Sequence, residues 1–212
     1  MRIQRFCHFC WGLLPVLSML LLALPVVAGA VGDGFYLGFS AGQSTIFAKA
    51  TTVNGQSAKA DKNDWGERLY LGGQFNPHAA IEAGYTHYGS AAYNVLAPSG
   101  NKPAVRVYGL DFNFRLMWPF ENGFSIFGMP GFAIAHASRS GSLVGANGSR
   151  IGTKTSFRPE AGFGVSYDIT QRWVGEVSFR HLFGSGLVPS ANLLALGISY
   201  HFSDEMCGQF LC

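Results

Sequence analysis

Through most of the chain, apolar residues recur at every second position, the period of a half-buried β-strand, and no sustained helical stripe competes with it. Residues 192–202 show the pattern most clearly. Leu194, Leu196, Ile198, Tyr200 and Phe202 share one face, while Leu193, Ala195, Gly197, Ser199 and His201 share the other. In 157–168, Phe157, Ala161, Phe163, Val165 and Tyr167 oppose Arg158, Glu160, Gly162, Gly164 and Ser166. In 172–183, Trp173, Val177 and Phe179 oppose Val174, Glu176, Ser178 and Arg180. The same division runs through 34–47, 67–75, 79–88 and 106–118, which with 124–135 gives eight predicted strands. Segment 124–135 is irregular: its apolar residues fall on both faces, and Pro130, lacking an N–H for the ladder, must sit at a bulge or an interrupted pairing.

Short connections near 76–78, 119–123 and 169–171 alternate with longer ones near 48–66, 89–104, 137–155 and 184–190. Three tight turns and four long loops are what an even-stranded up-and-down barrel with both termini at one end requires, short turns periplasmic and long loops outside. The expected fold is all-β, an eight-stranded antiparallel up-and-down transmembrane β-barrel over residues 31–202.

The first 30 residues belong to a different signal. Arg2 and Arg5 precede an apolar run at 11–27, and Ala28-Gly29-Ala30 reads as a signal-peptidase site, so 1–30 is expected to be a cleaved signal peptide. Its removal changes the charge balance, because the formal net charge of +3 over 212 residues falls to +1 over 182. An exported chain with so even a balance and no basic stripe is not expected to bind nucleic acid. Of four cysteines, Cys7 and Cys10 leave with the signal; Cys207 and Cys212, in a short tail at 203–212, are a possible disulfide in an oxidising compartment.

Composition decides which solvent the apolar faces meet. Charged residues make up 13% of the chain, about half the usual share, and 28 glycines are nearly twice the usual number. The strand charges Arg68, Glu82, Asp111, Arg115, Arg158, Glu160, Glu176 and Arg180 all lie on the polar faces, four acidic and four basic, while the lysines fall in loops. Paired Arg and carboxylate beside glycine suits a narrow interior better than a solvated exterior, so these eight form a predicted lumen charge network. Tyr85, Trp118, Tyr167, Trp173, Tyr200 and Phe202 are expected as interfacial aromatics. An exported soluble sandwich or lipocalin-like barrel shares the alternation but not this placement of charge. Eight strands leave room only for the barrel's own side chains, so a filled polar lumen is expected and a large pore is not.

The segments "AAIEAGYTHYG", "FRPEAGFGVSYDITQRWVGEVSFRHL" and "NLLALGISYHF" resemble the small eight-stranded outer-membrane barrels of Gram-negative bacteria, the OmpA-type transmembrane domain and the opacity-like surface proteins. The resemblance covers nearly all of 34–202. It implies residence in the cell outer membrane and contact with outer-membrane lipid and lipopolysaccharide. It also implies recognition of a terminal aromatic strand by the outer-membrane assembly machinery, and ligands at the surface met through four extracellular loops. Here ten residues follow Phe202, so the terminal signal is displaced.

Such barrels include lipid A-modifying hydrolases, which need a serine, a histidine base and an orienting carboxylate. The candidates are His181 and Ser185 with Glu176 or Glu160, but His181 and Ser185 are four residues apart, where that family has them two apart on one strand face. His87, His136 and His201 lie on separate segments without metal-ligand spacing. The expected function is therefore a structural or surface-interaction barrel, not an enzyme and without cofactor. The alternatives are a narrow low-conductance channel and a lipid A-modifying hydrolase.

Overall fold

The computed structural model describes residues 34–48, 51–53, 56–58, 60–94, 102–140, 152–185 and 188–202; the expected signal peptide and the tail with Cys207 and Cys212 lie outside them. The strands are β1 (Gly34–Ile46), β2 (Thr51–Val53), β3 (Gln56–Ala58), β4 (Asn63–Asn76), β5 (Ala79–Ala92), β6 (Ala104–Pro119), β7 (Phe124–Ser140), β8 (Lys154–Asp168), β9 (Trp173–Leu182) and β10 (Ala191–His201). Eight of them close an antiparallel barrel in the order β1-β10-β9-β8-β7-β6-β5-β4, and β2 and β3 form a separate hairpin. That hairpin was not anticipated from the pattern, although Asn54-Gly55 between its strands is a strong short-range hairpin signal.

The register fixes the geometry. A row of directly paired residues runs Tyr36, Gly72, Glu82, Asn113, Gly131, Glu160, Leu182 and Ala191, and returns to β1 at Ile46, ten residues beyond its start. Such a stagger goes with strands tilted at about 40° to the barrel axis. Ten residues of about 3.3 Å at that tilt climb roughly 25 Å, the height of an outer-membrane apolar band.

The core is inverted relative to a soluble protein. Phe35, Trp118 and Leu196 are 61%, 65% and 70% exposed, whereas Arg68 and Glu82 are 1% and 0% exposed. In water those apolar faces would be ruinous, and only lipid makes them stable. β4, β5, β7 and β8 run three to five residues further toward the long loops than the alternation predicts, whereas β1, β9 and β10 end there within one residue of it.

Local chemistry sets the turns. Asn76 Oδ1 accepts from the His78 amide at 2.8 Å, Thr170 Oγ1 accepts from the Trp173 amide at 3.1 Å, and Gly123 adopts φ +78° between β6 and β7. In β5 the pairing with β6 shifts register between His87 and Ser90 around Gly89, at φ +84°. Asp64 holds this bulge by accepting from the Ser90 amide at 2.6 Å and the Ser90 hydroxyl at 2.9 Å. Pro130 interrupts the ladder: β6 and β7 pair at Asn113↔Gly131 and resume at Leu116↔Gly128, with no paired residues between.

Candidate functional site in the barrel lumen

Seven of the eight strand charges converge midway along the lumen. Arg68, on β4, donates from Nη1 to Glu82 at 2.8 Å and from Nε and Nη2 to Asp111 Oδ1 at 3.0 and 2.6 Å. Arg115, on β6, donates from Nη1 to Glu176 at 2.7 Å and to Glu82 at 3.1 Å. Arg180, on β9, donates to Glu160 at 2.7 Å and lies 3.4 Å from Glu82 and 3.8 Å from Asp111. Glu82 is thus the hub, touched by all three guanidinium groups and by the Tyr36 hydroxyl at 2.9 Å. Thr86 and Asn113 complete the shell of Asp111 at 2.7 and 2.8 Å. Burying ions costs several kcal/mol each, so such a cluster is tolerable only where nearly every donor and oxygen is matched. The bidentate reach of arginine supplies the matches.

Two features make room for this density. The Tyr36 and Tyr70 rings lie over glycines of the facing strand: a Cβ on Gly72 would stand 2.0 Å from Tyr36 Cζ, and one on Gly38 would stand 2.2 Å from Tyr70 Cζ. The apolar residues that made 124–135 irregular also have a place. Phe127 lies under the Arg115 guanidinium at 3.7 Å, and Met129 Sδ accepts from Arg180 Nη2 at 3.0 Å, so both serve the network from inside. Pattern reading missed Phe127, Met129, Tyr36, Thr86 and Asn113; for the last three the signal was available in their position on the polar faces.

The rest of the lumen is not uniformly polar, which corrects the expected filled polar interior. Toward the long loops, Ile46, Tyr88, Val105, Val107, Leu182, Val188 and Leu193 form a buried apolar cluster with small alanines between them. These strand ends rise toward the loops, where an aqueous interior would demand polar groups. The chain instead packs a core like that of a soluble protein. At the short-turn end lies a cavity of about 230 Å³ lined in part by Tyr36, Arg115, Ser166, Asp168, Ser199 and His201. There His201 stacks on Tyr36 at 4.6 Å and lies 3.4 Å from the Ser199 hydroxyl.

Arg158 departs from the expectation. It lies on the lumen face of β8 beyond the network, only half-buried, and donates to the Ser185 carbonyl at 2.7 Å rather than to a carboxylate. The hydrolase candidates do not assemble either. His181 is on the outward face of β9 and contacts Asn192 Oδ1, while Glu176 and Glu160 point inward. Among the described residues, no group of three or more His, Cys, Asp or Glu could hold a metal ion.

A tilted eight-stranded barrel with a lipid-type exterior and an ion-paired interior narrows the comparison, and the family model for the OmpA-like transmembrane domain matches residues 30–206. The chain belongs to the OmpA-like transmembrane domain family. It is 26% identical to an uncharacterised protein of Coxiella burnetii, over 81% of this chain and 86% of that one. It is 23% identical to outer membrane protein A of Yersinia pseudotuberculosis over 89% of this chain, and spans about half that relative's length (55%). Among solved structures it is similar to Neisserial surface protein A, with a TM-score of 0.57 at 17% identity over 80% of this chain and 98% of that one. It is also similar to the attachment invasion locus protein Ail of Yersinia pestis, with a TM-score of 0.51 at 16% identity over 81% and 100%. These likenesses show the fold, and membership of the family places the chain in the outer membrane.

For an OmpA-like barrel the short turns are the inner end and the long loops the outer end. At the inner rim stand Trp118, Tyr167, Trp173, Tyr200 and Phe202, with Trp173 and Tyr200 in edge contact at 5.0 Å and Phe124 against Tyr167 at 4.6 Å. Tyr85 lies apart from them, toward the outer end, beside Tyr108 at 6.2 Å. Along the apolar cluster and out past its edge, Arg158, Lys154 and Arg139 lie on the lumen-side faces of β8 and β7, with Arg158 paired to Ala133 and Lys154 to Ala137.

Proposed function

We propose that the chain is a non-catalytic outer-membrane scaffold with a closed lumen, whose outer mouth presents a basic wall to anionic ligands at the cell surface. The observation that carries the reading is the line of Arg158, Lys154 and Arg139 along the lumen-side faces of β8 and β7, the first two paired with Ala133 and Ala137 of the apolar cluster and Arg139 two residues beyond it. Ions entering from outside would have to cross Val107, Leu182 and Leu193, all 0% exposed, which argues against the narrow-channel alternative. Of the described carboxylates toward the outer end, Asp61 accepts from the Asn63 amide, Asp64 from the Ser90 amide and hydroxyl, and Glu67 faces His87. Ail of Yersinia pestis has been solved with the heparin analogue sucrose octasulfate, and a sulfated ligand suits the basic mouth here. The apolar belt fits the acyl chains of outer-membrane lipid and lipopolysaccharide. The end of β10, with Tyr200 and Phe202, fits the strand that the assembly machinery reads.

The test is retention of the refolded barrel on immobilised heparin across a salt gradient. Retention that weakens with salt and is lost in Lys154→Glu/Arg158→Glu supports the reading. No retention at low salt, or retention indifferent to the charge reversals, overturns it.

A further inference from the structure

At the outer edge of the apolar belt the outward faces of β5, β6 and β7 change character together. On β6 the exposed Phe112 and Leu110 give way to Tyr108 and then Arg106; on β7 the exposed Ile134 gives way to His136. Cross-strand pairing aligns His87, Tyr108 and His136 in one row, with Arg106 two residues further out on the same face as Tyr108. Residues so placed are diagonal neighbours, about 7–8 Å apart at Cα, within joint reach of one polar group.

The row is built rather than incidental. Tyr108 and His136 are in ring contact at 4.8 Å, and His136 Nδ1 is engaged by Thr155 Oγ1 at 2.7 Å, a contact that does not use Nε2. His87 Nδ1 lies 3.9 Å from Glu67 Oε1, a contact that likewise does not use Nε2. Arg106 is exposed and forms no ion pair with any carboxylate of the described residues. A guanidinium roughly 5 Å above the last ring of the belt stands at the height where acyl chains end and charged headgroups begin.

We propose that Arg106, with His87 and His136 on either side of Tyr108, forms a phosphate-binding site for an acylated glycolipid of the outer leaflet. The phosphate sits on the Arg106 fork and accepts from the two imidazoles, while the acyl chains lie on Leu110, Phe112 and Ile134. This site is on the outside of the barrel and depends neither on the closed lumen nor on the basic mouth. A lipid is favoured over a soluble anion because the donors continue the lipid-covered face without a break.

The experiment is native mass spectrometry of the folded barrel in detergent, titrated with diphosphorylated lipid A or with the same lipid stripped of phosphate. The wild type is expected to retain the phosphorylated lipid at least about tenfold more strongly. Arg106→Ala should lose most of that preference, Arg106→Lys should keep a substantial part of it, and Lys102→Ala, an exposed cation nearby, should leave it unchanged. Heat-modifiable migration checks that each variant is folded. Equal retention of both lipids by the wild type, undiminished preference in Arg106→Ala, or displacement of the lipid by equimolar inorganic phosphate or heparin would each overturn the proposal.

Discussion

Replacing Arg180 by alanine removes the guanidinium that pairs with Glu160 at 2.7 Å, and also its longer contacts to Glu82 at 3.4 Å and Asp111 at 3.8 Å. The network holds three arginines against four carboxylates, so the substitution leaves two cations facing four acids, all of them buried. Breaking a buried pair by deleting one partner costs about 3–5 kcal/mol, most of it the uncompensated charge that remains. That is about two to three and a half decades in the unfolding equilibrium, since about 1.4 kcal/mol is a factor of ten. The assay is urea unfolding of the refolded barrel in lipid vesicles, followed by the loss of the fast-migrating folded band. Glu160→Gln in the same background removes the stranded charge, so Arg180→Ala/Glu160→Gln should recover a good part of the loss, with a coupling energy of about 1–3 kcal/mol. An unfolding midpoint in Arg180→Ala equal to the wild type, or strictly additive effects of the two changes, would refute the placement of this pair in a desolvated lumen.

Other consequences are equally specific. Gly72→Val would drive a side chain into the Tyr36 ring, where a Cβ alone stands 2.0 Å from Cζ, and should abolish the heat-modifiable folded band instead of merely lowering its midpoint. Leu182→Ala and Leu193→Ala, each fully buried in the outer apolar cluster, should cost about 2–5 kcal/mol apiece in the same urea assay, as core truncations in a soluble protein do. Fluorescence quenching by lipids brominated at different depths should place Trp118 and Trp173 at one interface and Trp65, two residues beyond Glu67 on β4, at the other. A common depth and common side for all three would contradict the topology.

The fold was largely legible because a membrane barrel writes its two faces in strict alternation, and the short and long connections then settle strand number and orientation. Where the pattern failed, it failed for physical reasons. Phe127 and Met129 look like lipid-facing residues on the wrong face until one sees that guanidinium groups also pack against rings and thioethers. Arg158 carries the same parity as Glu160 but sits two residues nearer the mouth, and alternation gives face without height, so its separation from the network needed the register. The apolar outer lumen is hidden from pattern reading because Val105, Val107 and Leu193 share a face with polar and small residues, and parity alone does not distinguish a dry interior from a wet one. His87 and His136 are 49 positions apart in sequence and become neighbours of Tyr108 only through pairing across β5, β6 and β7.

A lumen closed by apolar packing above an ion-paired hub at Glu82 should pass no steady current of ions. Planar-bilayer recording of the purified, folded barrel tests it most directly. The wild type is expected to show no steady single-channel conductance. A steady ohmic conductance whose size or ion selectivity shifts in Glu82→Gln would contradict it, because ions would then be passing the network and the apolar cluster beyond it.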